Sequence, residues 1–509
     1  MRRGLRLAVV VLLLVYFVAG TGFLMVRHWV WPRLDQWRPA IEARLSSEIG
    51  VPVRLGRMHA DFDRLHPRML VDGVEIGRGG QDGGGLRLDR IEALVSWRSV
   101  LAMAPHFELL RIDAPRLDVA RLDRTRFAIS GLELDIAGPG HDAGASPLAD
   151  WLFAQRSIRI HGAGLRYVDM RSKAAAEFAE VDIAIDSAGH RHKLRASGRG
   201  DPSSSGPAPA PIGVFEVVAD LERTGGAAAG AGWTGQAYAS FEDADVLAIN
   251  ALAAMRSPLA GGRGRGRLWF ELADGMPVEA HGEFDLAGPI LRTADGVGRV
   301  DLLAGSVAAR WLGDGGVELS TEGIELVDST GVAIDAVAGR QRLVFDANWR
   351  LDSARVSLSA ASADDLLRFA RSMPLPAALA ERIARWRVDG RIDAATLDWR
   401  ATGAEPDYGI DVEFSDLALA LGAASRGRDV PGFRGLSGTA RLDPSGGRLT
   451  LAGDAAVLSL PGLLEEADIG LDRYDALVDW RRDADDRLSV AIERFGFANA
   501  DAAGEVSGS

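Results

Sequence analysis

From Val51 onward the chain repeats one pattern: an apolar residue, then a polar or small one, in short runs separated by turn signals. Ile158/Ile160, Leu165/Tyr167, Val181/Ile183/Ile185, Leu268/Phe270/Leu272, Ile410/Val412/Phe414 and Leu417/Leu419/Leu421 are runs of this kind. Successive side chains of a strand point to opposite faces, so each run predicts a strand with one apolar and one polar face. Asp186-Ser187-Ala188-Gly189, Ala273-Asp274-Gly275 and Asp443-Pro444-Ser445-Gly446-Gly447 carry the residues that tight turns select. The last, between Arg441-Leu442 and Arg448-Leu449-Thr450-Leu451, predicts a hairpin. Runs recur roughly every 8 to 12 residues, too closely for crossover helices, so the sheet is expected to be mainly antiparallel.

Twenty or so strands cannot stay one flat sheet, because twist makes large sheets curl, split or close. The apolar face needs a cover, which a sandwich, a closed barrel or a long curled sheet filled by something else would each supply. Composition bears on the choice: 60 glycines and only 7% aromatics leave few bulky side chains to plug a β core, which favours the third option. The length corresponds to about three domains at 150 residues each, yet no change of composition marks a second one.

The N-terminus breaks the pattern. Leu7 to Val26 is a charge-free run of 20 residues, preceded by Arg2, Arg3 and Arg6 and followed by Trp29 and Trp31. A helix of that length covers about 30 Å, the hydrocarbon thickness of a bilayer, and the tryptophans fall at its interface belt. A cleaved signal peptide has the same charge order but a shorter apolar region, so residues 7–26 are expected to be an uncleaved transmembrane helix with residues 1–6 cytoplasmic. Residues 33–50 follow as an amphipathic helix on Leu34, Trp37, Ile41, Leu45 and Ile49, which either lies on the membrane or, in the reading adopted, caps a sheet. Other interruptions are loops at 200–211 and 222–232, a short helix at 245–255, and two short helices within 363–388 on either side of Met373-Pro374-Leu375-Pro376.

Chemistry is hard to find. The absence of cysteine removes disulfides, thiolate metal sites and cysteine nucleophiles. The balance of 58 basic against 71 acidic residues, net −13, lacks the footprint of a nucleic-acid binder. His190 and His192 flank a turn without a third ligand at metal spacing and are expected in a solvated hairpin. Gly79 to Gly85 has the composition of a phosphate loop but leads into a strand, so it is expected to be a loop tip. The Gly262–Arg267 run is expected as a solvated arginine turn, and Asp483 to Asp486 as a hairpin tip. No catalytic motif is present in the sequence, so no enzyme, no cofactor and no metal is expected.

Several segments carry a resemblance. Ile41-Glu42-Ala43-Arg44-Leu45 with Gly50-Val51-Pro52-Val53, and Pro67-Arg68-Met69-Leu70-Val71-Asp72-Gly73-Val74-Glu75-Ile76, resemble the AsmA-like proteins, within them the YhdP type. So do Leu375-Pro376 with Trp386, Gly390-Arg391-Ile392-Asp393 and Leu397-Asp398-Trp399. Pro431 to Gly438 (PGFRGLSG) and Leu460 to Glu466 (LPGLLEE) match best. The resemblance spans essentially the whole chain, least in 200–360, and its motifs are structural. Proteins of this type are longer, and the chain stops at Ser509 inside an apparent hairpin, so residues 51–509 are expected to be a truncated piece of a periplasmic body.

The resemblance implies a mainly β fold: a long, taco-like curled sheet, largely antiparallel, enclosing an apolar groove, with an N-terminal transmembrane helix and a few short capping helices. It further implies an inner-membrane, single-pass protein whose bulk lies in the periplasm and carries phospholipids toward the outer membrane, with the inner membrane and outer-membrane or envelope proteins as partners. The alternative is a non-transporting envelope scaffold that acts through protein partners on an exposed sheet edge. In the first reading the groove lining is drawn from Ile158, Ile160, Val181, Ile183, Ile185, Ile410, Val412 and Phe414. For each of these, ordinary packing between two sheets is the competing assignment.

Overall fold

Every alternating run quoted above folds as a strand. The computed structural model describes residues 2–25, 27–28, 31–63, 66–80, 83–96, 106–123, 126–135, 147–201, 212–226, 229–252, 259–293, 296–312, 316–328, 333–337, 341–346, 351–372, 381, 383–384, 386–401, 407–421, 432–460, 468–482 and 487–509. The protein is mainly β, with 28 strands among the described residues. Five α-helices accompany them: α1 (Arg2–Met25), α2 (Arg38–Ile49), α3 (Pro147–Ala154), α4 (Val246–Leu252) and α5 (Ala363–Ser372). The chain divides into two units, the first formed by Met1–Ala244, Ala248–Met255 and Glu271–Met276, the second by Asp245–Leu247, Arg256–Phe270 and Pro277–Ser509.

In the first unit β1 (Val53–Asp63), β2 (His66–Gly80), β3 (Gly83–Val95) and β4 (Phe107–Asp113) pair antiparallel in order. β5 (Arg116–Arg121), β6 (Arg126–Ile129) and β7 (Leu132–Asp135) form a small meander. β8 (Ser157–Asp169) runs parallel to both β4 and β5. From β8 the antiparallel ladder resumes through β9 (Ala175–Ala188), β10 (Arg191–Gly200), β11 (Val214–Gly226) and β12 (Ala229–Asp245).

The second unit begins with β13 (Leu259–Ala273), β14 (Met276–Thr293), β15 (Gly296–Trp311), β16 (Val317–Asp328), β17 (Ala333–Val337) and β18 (Gln341–Phe345). It continues with β19 (Leu351–Ser362), β20 (Trp386–Arg400), β21 (Asp407–Leu421), β22 (Gly432–Asp443) and β23 (Gly446–Gly453). β24 (Ala456–Ser459), β25 (Asp468–Leu471), β26 (Arg473–Arg482), β27 (Leu488–Ala498) and β28 (Ala503–Gly508) complete it. Its main ladder runs β14, β15, β16, β18, β19, β20, β21, β22, β23, β26, β27, β28, every pair antiparallel.

Local chemistry sets the turns. Asp274 and Gly275, at φ 51° and 75°, form the two-residue turn with two positive φ angles that matches strand twist. Asp443 pairs with Gly446 across Pro444-Ser445, and its Oδ1 accepts the Ser445 amide at 2.7 Å. That hydrogen-bonded contact with Ser445 holds the Asp443 carboxyl below the usual carboxylate range.

The main core lies under α2 and α3. Leu34, Leu45 and Ile49 bury against Val53, Leu55, Met58, Val71 and Ile91, with Leu148, Trp151 and Leu152 of α3 closing over them. α2 also finishes the edge of β1: Ser46 Oγ accepts the Val53 amide at 2.9 Å and Glu42 Oε1 the Leu55 amide at 2.7 Å. An edge strand's free N–H groups are thereby satisfied without a further strand. Residues 31–37 are a 3₁₀ turn, and the helix proper starts at Arg38 with Pro39 in its first turn and ends at Gly50, φ 81°.

Several expectations differ from the fold. The presumed loop at 222–232 is mostly strand, since β11 continues to Gly226 and β12 starts at Ala229. Cross-strand pairing, Thr224 with Gly232 among others, overrides the loop-like composition there. Gly262 to Arg267 is no turn but part of β13, where Arg265 reaches Asp285 at 2.7 Å and a side chain on Gly264 would meet the Asp285 carbonyl. Of the two helices in 363–388, the first is α5 and the described residues 381 and 383–384 of the second are helical; residues 373–380 lie outside the described residues, and Trp386 opens β20, paired with Leu421. Asp483 to Asp486 and residues 202–211 also lie outside the described residues.

Candidate functional site: the apolar face of the sheet

Register turns the separate runs into continuous rows. In the first unit Met58, Val71, Ile91, Ile112, Ile160, Ile183, Ala196, Val217 and Ala239 are successive cross-strand partners from β1 to β12. A second row, Ala60, Met69, Ala93, Leu110, Ile158, Ile185, Leu194, Ala219 and Ala237, lies beside it. Every member of both rows is an aliphatic residue or methionine.

Coverage changes along these rows. Met58, Val71, Ile91 and Ile158 are buried under α2 and α3. From β8 onward the members Ile160, Ile183, Ala196, Val217 and Ala239 are only half-buried. Of the sequence-derived lining candidates here, Ile158 and Val181 are therefore core residues at 2% and 1% exposure, whereas Ile160, Ile183 and Ile185 remain partly open.

The second unit has comparable rows, the first of them interrupted by the hydrogen-bonded pair Thr321 and Gln341. Val307, Thr321, Gln341, Val356, Leu397, Ile410, Leu442, Gly447, Trp480 and Val490 are successive partners from β15 to β27. Leu358, Ala395, Val412, Ala440, Leu449, Val478 and Ile492 form the neighbouring row. Ile410 and Val412 are half-buried, while Phe414 at 7% belongs to a packed cluster with Leu436, Leu451 and Tyr474. Gly447 has no side chain because Trp480 lies against it; a Cβ there would come within 2.3 Å of the indole.

The opposite face is a lattice of ion pairs. Arg159–Asp186 at 2.8 Å, Arg195–Glu216 at 2.6 Å, Arg355–Asp398 at 2.5 Å, Arg441–Asp411 at 2.5 Å and Arg448–Asp479 at 2.7 Å link neighbouring strands. Such exposed pairs add little stability each, but they fix which face meets water, because a slip of one residue would exchange the faces. Asp182 sits on this face, its carboxylate accepting the Gly162 amide at 2.9 Å.

Polar groups do occur at the margins of the apolar face. Asp169 is buried, its Oδ1 accepting the Arg171 and Ser172 amides at 2.8 and 2.9 Å, with Arg121 3.5 Å away. Burial, which alone would raise its pKa, is outweighed by these amides and the guanidinium, and the carboxyl stays below its usual range. Tyr167 beside it is pushed up, chiefly by burial. His192 is not solvated as expected from its hairpin: at 6% exposure it packs against Phe153 and Trp233, 5.1 and 5.4 Å between ring centroids. Burial first, then Arg223 and His190, pushes its pKa down. Among the described residues no group of three or more His, Asp or Glu could hold a metal ion.

α1 stands apart from this site. It runs 24 residues, and Val9 to Val18 are all exposed, Tyr16 at 70%. Among the described residues no helix is long and apolar enough to cross a membrane. The side chains of Leu7 and Trp31, and the residues Val26 and Trp29, which were to mark the span ends and interface belt, lie outside those described. Phe23 meets Phe62 of β1 at 5.5 Å, and the Arg27 guanidinium stands 5.6 Å from the same ring.

The family model described as YhdP protein matches residues 1–509. No curated protein and no solved structure matches the chain.

Proposed function

The chain belongs to the YhdP family, and from that premise we propose that it carries phospholipids along its apolar sheet face, from an inner-membrane anchor toward the outer membrane. One observation carries this reading: aliphatic rows unbroken across nine strands are only partly covered from β8 onward, leaving Ile160, Ile183 and Val217 half-open while Ala219 stays buried. Apolar surface of that extent on a soluble body marks a binding surface. Each methylene laid against it gains about 0.8 kcal/mol over exposure to water, so acyl chains complete the core that side chains leave unfinished. Because the first unit's rows are aliphatic throughout, a chain can slide along them without a deep energetic minimum, which suits carriage over tight capture.

The rest of the reading follows from the same physics. α1, with its exposed apolar flank and basic start, is the membrane anchor, residues 2–6 facing the cytoplasm and the β body the periplasm. The protein's role is non-enzymatic and calls for no cofactor; its occupants are phospholipids, and outer-membrane or envelope proteins are its partners. Extraction of the purified full chain followed by lipid mass spectrometry tests this: co-purified diacyl phospholipid is expected. A chain free of lipid after isolation from membranes, and unable to take up lipid from vesicles, would refute it.

A further inference from the structure

A second charged group at the apolar face of the first unit, besides the Arg121–Asp169 pair, calls for a reason. Alternation along β11 puts Arg223 on the face of Val217, Ala219 and Leu221, directly across from Trp233. α3 covers this end. Its Phe153 meets Trp233 at 5.1 Å, and its Asp150 Oδ1 lies 3.0 Å from Arg223 Nη2. The arginine side chain is 21% exposed, whereas that of Asp150 is 48% exposed. A guanidinium set into an apolar wall is thus held by a carboxylate already half in water.

Resting on the lipid-carrying reading above, we propose that Arg223 binds the phosphate of a glycerophospholipid whose acyl chains lie on the open aliphatic row, and that Asp150 occupies its place when lipid is absent. The guanidinium fork matches a phosphate as well as a carboxylate. A phosphodiester brings the single negative charge that Asp150 supplies, so the exchange leaves the site's charge unchanged. Asp150 passes fully into water at small cost because it is half solvated already. The exchange also releases the ion pair between α3 and β11, while Phe153 stays packed on Trp233. Acyl chains then extend from Leu221 past the buried Ala219 to the half-open Val217.

The test uses the full chain in detergent, equilibrated with dioleoylphosphatidylglycerol and dioleoylglycerol, which share acyl chains and differ in the phosphate. Bound lipid is counted by native mass spectrometry. The wild type is expected to prefer the phospholipid, Arg223→Gln to lose that preference about tenfold with dioleoylglycerol uptake intact, and Asp150→Asn to retain more phospholipid. Arg223→Lys should recover part of the preference. An unchanged lipid ratio in both Arg223→Gln and Asp150→Asn would overturn the assignment while leaving the groove standing. A wild type that retains neither lipid would overturn the groove reading and this site with it. Displacement of the phospholipid by inorganic phosphate alone would assign the site to free phosphate and overturn it too.

Discussion

Tyr474 and Ser437 are joined across the second unit's core: the Tyr474 hydroxyl accepts the Ser437 amide at 2.7 Å and donates to the Gly435 carbonyl at 3.0 Å. Tyr474 is 2% exposed, and Gly435 at φ 76° marks the irregularity in β22 that this hydroxyl fills. Tyr474→Phe strands a part-buried amide and a part-buried carbonyl, so a loss of about 1 kcal/mol is expected. Chemical denaturation measures it; an unchanged midpoint would mean that water replaces the hydroxyl.

His192 makes stability depend on pH. Its pKa is depressed by burial, with Arg223 and His190 adding to the effect. Between that depressed value and the ordinary one near 6.5, the unfolded chain binds a proton that the folded chain refuses, so stability rises with pH there. The contribution is present above the unfolded pKa and is lost as pH falls through the folded one. Thermal unfolding of wild type and His192→Phe, compared from pH 7.5 downward, should show the wild type losing more stability below about pH 6.5. Parallel curves would remove His192 from the account.

The edge cap formed by α2 predicts a change in association. Glu42→Ala combined with Ser46→Ala removes the acceptors of the Leu55 and Val53 amides. Each unpaired amide costs about 1 kcal/mol, and the bared β1 edge becomes a template for pairing with another chain. Sedimentation velocity should show self-association in the double variant and less in wild type.

Burial separates the two kinds of apolar residue on the same face. Phe414→Ala empties a packed cluster and is expected to cost about 3–5 kcal/mol. Ile410, four residues earlier and half-buried, should tolerate Ile410→Ala at about 1 kcal/mol. Ile410→Asp should reduce co-purified lipid without unfolding the chain, as read by circular dichroism beside lipid mass spectrometry. Equal destabilisation at both sites would place Ile410 in a closed core.

Much of this was legible along the chain, because strand alternation is a local property: Ile183 and Asp182 announce opposite faces by parity alone. The length of the rows was not. Ile112 of β4 meets Ile160 of β8 in a parallel pairing across a long separation, and no local pattern encodes that partner. Nor could alternation tell Ile158 from Ile183, since the difference is made by α2 and α3 closing over one and not the other. Arg223 was hidden in a glycine- and alanine-rich stretch with the composition of a loop, which pairing with β12 holds as strand. His192 was misjudged for a related reason: its neighbours in space, Phe153 and Trp233, lie dozens of positions away.

The central claim is that lipid lies on one face of the sheet. A photo-reactive amino acid placed in the full chain at Ile183 and Ile410, with Asp182 and Asp411 as partners on the opposite face, tests it most directly. Irradiation in intact cells followed by detection of lipid adducts should give phospholipid crosslinks at Ile183 and Ile410 and none at Asp182 and Asp411. Adducts equal on both faces, or absent from Ile183 and Ile410, would contradict it.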